Sequence, residues 1–168
     1  METNKTTILD AHKIRQKILR MAHEIAEFNY DEEEVILVGI ADRGYALAER
    51  LLAELQWCYP NPSRLLKLSM DKTNPVDGSY LLEGPLEALE NKSVILVDDV
   101  LESGRTLIHA TCFLLKVRLK KLTTVVMVDR MHPKFPITAD FVGLTLSTTL
   151  QEHIHVDLTA GQEAVFLV

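Results

Sequence analysis

A chain of 168 residues with 24 acidic and 18 basic side chains, 47% hydrophobic and 25% charged, has the size and composition expected of one soluble globular domain. No apolar run reaches the ~18–20 residues of a membrane span. No secretory signal is visible behind Met1-Glu2-Thr3-Asn4-Lys5, and the net charge of −6 argues against a surface built mainly to coat nucleic acid. Cys58 and Cys112 lack metal-ligand spacing, so buried reduced thiols and a cytoplasmic location are expected.

Asp10 suits a helix N-cap, and Ile14, Ile18, Met21, Ala22, Ile25 and Phe28 recur at three- and four-residue steps, which predicts an amphipathic helix over 11–29. Val35 to Ile40 is a short, wholly apolar run, as in a strand covered on both faces. A helix is predicted over 43–57, stopped by Pro60 and Pro62, with a second strand from Arg64 to Met70. Residues 71–92, polar and rich in turn formers, predict a long, mobile connection of the kind that serves as a lid. Val94 to Val97 is again a buried strand, followed by a helix over 104–120 and a strand at Thr124–Val128. The remainder is β-rich, at Phe141-Val142, Ile154–Leu158 and Val165–Val168. Strands alternating with helices imply an α/β fold with a mostly parallel sheet, and with no repeat or linker the whole of 1–168 is expected to be one domain.

Chemistry concentrates at the end of the central strand. Asp98 and Asp99 stand there, and Ser103, Gly104, Arg105 and Thr106 open the next helix. Ligands of open α/β sheets bind outside the carboxyl ends of the strands. Two hydroxyls, a close-approach glycine and a helix N-terminus suit a phosphate monoester. The carboxylates repel phosphate but suit ribose hydroxyls, or Mg²⁺ bridging a sugar and a diphosphate. Together they point to a phosphorylated sugar.

Apolar residues, two acids, two more apolar residues, then x-[Ser/Thr]-Gly-x-Thr: over about 13 positions from Val94 to Thr106 this resembles the 5-phosphoribosyl-1-diphosphate (PRPP) signature of the type I phosphoribosyltransferases. Neither a Walker A loop nor Gly-x-Gly-x-x-Gly occurs. Asp42-Arg43-Gly44 matches the position of the family's diphosphate loop, and 71–84 that of its flexible catalytic loop, in which Lys72 is the one cation. The resemblance implies a mostly parallel sheet flanked by helices with a small β-rich hood. It also implies that a nucleobase and PRPP are converted to a nucleoside 5′-monophosphate and diphosphate with Mg²⁺ as cofactor. Ser103, Gly104, Arg105 and Thr106 would then hold the 5′-phosphate, Asp98 and Asp99 the ribose hydroxyls and metal, and Asp42, Arg43, Gly44 and Lys72 the diphosphate. Val128, Asp129, Arg130 and Met131 would face the base.

Within the family the chain is most similar to the bacterial pyrimidine-operon attenuation proteins that carry uracil phosphoribosyltransferase activity, through Ile8-Leu9-Asp10, Met21-Ala22-His23-Glu24, Val128-Asp129-Arg130 and Ala139-Asp140-Phe141-Val142-Gly143. Uracil is the expected base. Against those proteins' Asp-Arg-Gly-His-Arg-Glu-Leu-Pro-Ile-Arg, this chain has Asp129-Arg130-Met131-His132-Pro133-Lys134-Phe135-Pro136-Ile137-Thr138. Two arginines are missing, a lysine is lost at Leu144, and each lost cation removes a possible phosphate contact, which disfavours RNA as a partner. Arg15, Arg20 and His23 belong either to an RNA-facing surface or to an ordinary solvated helix face.

Glu102 replaces the attenuators' usual tyrosine and coincides with the carboxylate that serves some purine phosphoribosyltransferases as general base. It stands between that role and a plain acidic residue in a first helical turn. Three readings follow: a transferase, with purine as the alternative to uracil, an RNA-binding attenuator using the site as a nucleotide sensor, and a nucleotide binder without turnover. His153-x-His155-x-Asp157 would share one strand face, but position 158 is Leu and the other histidines lie at 12, 23, 109 and 132, so a strand or subunit contact is expected rather than zinc. Lys116, Arg118, Lys120 and Lys121 are expected to end a helix, Val165–Val168 to join a sheet or a subunit contact, and the chain to form a homodimer or higher homo-oligomer.

Overall fold

The computed structural model describes residues 5–149 and 151–168. In chain order the elements are β1 (Thr6–Asp10), α1 (Ala11–Phe28), β2 (Val35–Ile40), α2 (Arg43–Cys58), β3 (Ser63–Met70) and β4 (Tyr80–Leu82). A 3₁₀ turn (Leu86–Leu89) leads to β5 (Ser93–Leu101), α3 (Arg105–Leu114), β6 (Lys121–Asp129), β7 (Phe141–Thr145), β8 (Ile154–Asp157) and β9 (Ala164–Leu167). Six strands form one sheet in the order β4-β3-β2-β5-β6-β7, parallel throughout except for the β3–β4 pair. Strands β1, β9 and β8 form a separate antiparallel sheet, the β-rich hood expected from the family resemblance.

The two central strands explain the sheet. Every residue of β2 is buried, and so is every residue of β5 except Val100, because helices cover both faces. One face packs against α1, α2 and the hood through Ile14, Leu47, Leu51, Ile95 and Val156. The other packs against α3 and the 3₁₀ turn through Ile36, Leu96, Leu107 and Leu89. Asp10 caps α1, its carboxylate accepting from the Lys13 amide at 2.8 Å. Gly39 lets α2 lie close to β2, since a Cβ there would sit 2.5 Å from the Tyr45 Cα.

Four expectations are corrected. The segment 71–92 contains β4 and the 3₁₀ turn, because Leu82 and Leu89 find core contacts that outweigh the turn-forming composition around them. Helix α3 stops at Leu114 instead of reaching residue 120. Val117 and Leu119 pack against the core, and the chain turns by pairing Asn91 with Arg118 and Lys120 with Lys92 through the backbone. The basic cluster therefore lies beyond the helix, where Lys120 and Lys121 pair with the buried Glu32 at 2.7 and 3.3 Å. Of the two free thiols, Cys58 is half-buried and Cys112 is exposed rather than buried.

Candidate active site

Strand β5 does not end before its two aspartates. It carries both and continues to Leu101, still paired with β6. Asp98 and Asp99 are 3% and 7% exposed, too enclosed to be solvated surface acids. Beyond them, residues 102–104 turn the chain into α3, whose first-turn amides have no partner within the helix. The turn needs Gly104, which lies at φ +83° and where a Cβ would come 2.7 Å from Ile137 Cγ2. The Ser103 carbonyl accepts from the Lys134 and Phe135 amides at 2.9 and 3.1 Å, so the 134–137 segment buttresses the turn from behind. That support was not anticipated from the sequence, because nothing local ties 134–137 to 103.

A cavity of about 240 Å³ opens here, lined by Arg43, Lys72, Asp98, Asp99, Val100 to Leu107, Val126 and Ile154. It brings together nine of the residues singled out from the sequence: Arg43, Lys72, Asp98, Asp99, Glu102, Ser103, Gly104, Arg105 and Thr106. Gly44 is buried behind it, where a Cβ would meet the Val97 carbonyl at 2.6 Å and the Asp98 Cα at 2.8 Å, so glycine is what lets α2 start against β5. Asp42 stands apart, its side chain 93% exposed and 3.8 Å from Lys67, and lines a neighbouring cleft with Arg43, His155 and Asp157. The peptide between Ala41 and Asp42 is cis. The wall contributed by the hood is Ile154, and its hydrophobicity gave no hint of that position.

Most of the charges in the cavity are paired. Lys72 Nζ lies 3.2 Å from Asp98 Oδ1, which also accepts from the Asp99 amide at 3.0 Å. Arg43 lies 3.6 Å from Asp99. Glu102 is held by Arg130, and among the described residues Arg105 has no side-chain hydrogen bond or ion pair. Burial pushes the Asp98 carboxyl up to about 7, against the pull of Lys72 and with the neighbouring Asp99 adding to the rise.

The segment expected to face the base is arranged differently along its length. Val128 is fully buried in the core and can only support the site from below. Arg130 is also buried, contrary to a base-facing role for its guanidinium. It donates to Thr148 Oγ1 at 2.9 Å, to the Thr149 and Glu152 carbonyls at 3.1 and 2.5 Å, and to Glu102. A buried guanidinium needs its donors satisfied, and here they fasten the end of β6 to Thr148, Thr149 and Glu152. Asp129 is half-buried and accepts from the Met131 amide at 2.8 Å, while Met131 is exposed, with φ +57°. Glu102 thus lines the cavity with one carboxylate oxygen committed to Arg130.

No trio of His, Cys, Asp or Glu side chains among the described residues is placed to hold a metal by itself, so His153, His155 and Asp157 form no such group. Asp98 and Asp99 offer two adjacent hard oxygen donors, enough only for an ion that takes its other ligands from a substrate or water. No helix among the described residues is long and apolar enough to cross a membrane.

Comparison with known proteins agrees with this geometry. The model of the phosphoribosyl transferase domain matches residues 4–160. The bifunctional protein PyrR of Deinococcus deserti is 38% identical over 99% of this chain and 96% of its own. That of Brevibacillus brevis is 36% identical, covering 92% of this chain and 90% of its own. Among solved structures, the hypoxanthine phosphoribosyltransferase of Trypanosoma cruzi, in complex with the product IMP, superposes with a TM-score of 0.81 at 18% identity, over 98% of this chain and 94% of that one.

Proposed function

The chain belongs to the phosphoribosyltransferase family, and from that premise we propose that, as one domain over 1–168, it transfers the ribose 5-phosphate of PRPP to uracil, releasing diphosphate. One observation carries the reading: a single cavity at the carboxyl end of β5 joins a helix N-terminus and two hydroxyls to a buried carboxylate pair and two further cations. Ser103, Gly104, Arg105 and Thr106 would hold the 5′-phosphate, with the first-turn amides of α3 and the Arg105 guanidinium, unpaired among the described residues, as donors. Asp98 and Asp99 would take the ribose hydroxyls. Arg43 and Lys72, with the backbone at Asp42 and Gly44, would take the diphosphate. Val128 and Arg130 would support a base site whose rim is Asp129 and Met131.

Mg²⁺ suits Asp98 and Asp99, since that ion takes one or two carboxylates together with substrate phosphates. Bound there, it would offset charge on the departing diphosphate. Support for uracil comes from the identity with the PyrR proteins, which covers nearly the whole chain.

A purine is the second reading, because the Glu102 carboxylate lines the cavity and keeps one oxygen for a base N–H. Diphosphate release from PRPP, measured with uracil, hypoxanthine, guanine, xanthine and adenine in turn, decides between them. Uracil is expected to give the highest kcat/KM, and a purine in its place would overturn the assignment. PRPP binding with silence for every base would overturn transfer itself. Under the purine reading, Glu102→Gln lowers kcat about 100-fold with little change in PRPP affinity, the usual range for a lost general base. Under the uracil reading it changes both only slightly.

A further inference from the structure

We propose that Lys72 and Arg43 are exchangeable counter-ions: they neutralise Asp98 and Asp99 in the protein alone, and both transfer to the diphosphate as the sugar and its divalent ion take over the carboxylates. This deepens the phosphoribosyltransferase reading and rests on it. Lys72–Asp98 at 3.2 Å and Arg43–Asp99 at 3.6 Å match one cation to each aspartate. The two cations are 36% and 51% exposed and free to turn outward, whereas the carboxylates are 5% and 11% exposed and stay where they are. A buried carboxylate stripped of its partner is costly, so Lys72 can leave Asp98 only as another positive charge or set of donors arrives. Diphosphate cannot recruit the two cations until that replacement is in place. The exchange therefore couples the two ends of the ligand, and the coupling is reciprocal.

The loop that carries Lys72 is built to present it. Asp71 accepts from the Thr73 amide and hydroxyl at 2.9 and 2.7 Å and from the Asn74 amide at 3.1 Å. The Gly78 amide donates to the Asn74 carbonyl at 2.9 Å, and the Tyr80 hydroxyl to the Pro75 carbonyl at 2.6 Å. The Tyr80 ring stacks on Phe113 of α3, with centroids 5.0 Å apart and planes at 10°. The 5′-phosphate end is different: among the described residues the Arg105 side chain has no partner to give up, and the Arg105 amide is engaged only by the neighbouring Ser103 Oγ at 3.3 Å.

Titration calorimetry of the full chain at pH 8.5 tests the exchange with three probes: Mg²⁺ alone, inorganic diphosphate with and without Mg²⁺, and ribose 5-phosphate. In the wild-type protein Mg²⁺ is expected to tighten diphosphate about tenfold or more, within the usual span of coupling energies. Lys72→Met should tighten Mg²⁺ alone about threefold, weaken diphosphate about tenfold and reduce the coupling, because a competitor for one ligand is a contact for the other. Arg43→Met should repeat the pattern and Lys72→Arg should restore it. Ribose 5-phosphate, whose hydroxyls would meet the same two carboxylates, should not weaken in Lys72→Met, and an unchanged far-ultraviolet circular dichroism spectrum reports that the fold is intact. Mg²⁺ affinity unchanged or weakened in Lys72→Met, with diphosphate still binding the wild type, overturns the exchange alone. Failure of diphosphate to bind the wild type with Mg²⁺ overturns the diphosphate assignment and the exchange together.

Discussion

Asp98 shows what it costs in stability to enclose a carboxylate in the candidate site. Burial, opposed by Lys72 and reinforced by Asp99, raises its carboxyl from an ordinary 3.8 to about 7. Between those values the folded chain holds a proton that the unfolded chain has released. The contribution to stability is complete below pH ~4 and is lost as pH rises through 7. Asp98→Asn should flatten that slope, leaving urea stability similar at pH 4 and raising it by up to about 4 kcal/mol at pH 8, since each tenfold difference in proton affinity is worth roughly 1.4 kcal/mol. Gly44→Ala acts by contact instead. Its Cβ would press on the Val97 carbonyl and the Asp98 Cα, so a loss of about 1–3 kcal/mol and a weaker diphosphate complex are expected, read by denaturant melts and calorimetry. Asp98, Asp99, Ser103, Gly104, Arg105 and Thr106 were legible in the sequence because the chemistry sits on consecutive residues of one strand and turn. Arg130 was legible as notable but not as buried. Its acceptors lie in 148–152 and at Glu102, and only the folded chain puts them around one guanidinium.

Among the elements, those with strong periodicity or unbroken apolar runs were predicted within a residue or two: α1, α2, β2 and β3. The others depended on partners. Strand β4 has three residues and exists because Leu68, Ser69 and Met70 pair with it, while β5 runs past its aspartates because β6 keeps pairing as far as Leu101. Turn-forming composition over 71–79 described the local geometry but not its anchoring, which depends on Phe113 more than thirty positions further along the chain. Tyr80→Ala removes that stack, worth about 0.5–1.5 kcal/mol, and frees the loop that presents Lys72. Diphosphate affinity is expected to fall several-fold in this variant, with ribose 5-phosphate affinity unchanged, on the same calorimetric assay.

At the scale of the molecule, net charge and the distribution of cations bear on RNA. Of the basic residues on α1, Arg20 is spent on Glu24 and on the Val142 and Gly143 carbonyls at 2.8 and 2.9 Å, while His12, Lys13, Arg15 and His23 are exposed and Lys17 is half-buried. Lys120 and Lys121 are spent on Glu32. With a net charge of −6, and with Arg20, Lys120 and Lys121 engaged within the chain, RNA affinity should be weak and its salt dependence shallow. A log–log slope against salt steeper than about −3, as several neutralised phosphates would produce, contradicts that expectation. The sequence by itself determined the α/β class, the order of the main elements and the turn that carries Ser103 to Thr106 at the end of β5, because periodicity, capping and a contiguous motif are local properties. Only the tertiary structure decided which cation neutralises which carboxylate, that Arg130 is a buried clasp, that Ile154 and Ile137 close and support the cavity, and that 71–82 is anchored. Each of these joins residues far apart in the chain, and pairing, burial and charge compensation exist only once the sheet has brought those residues together.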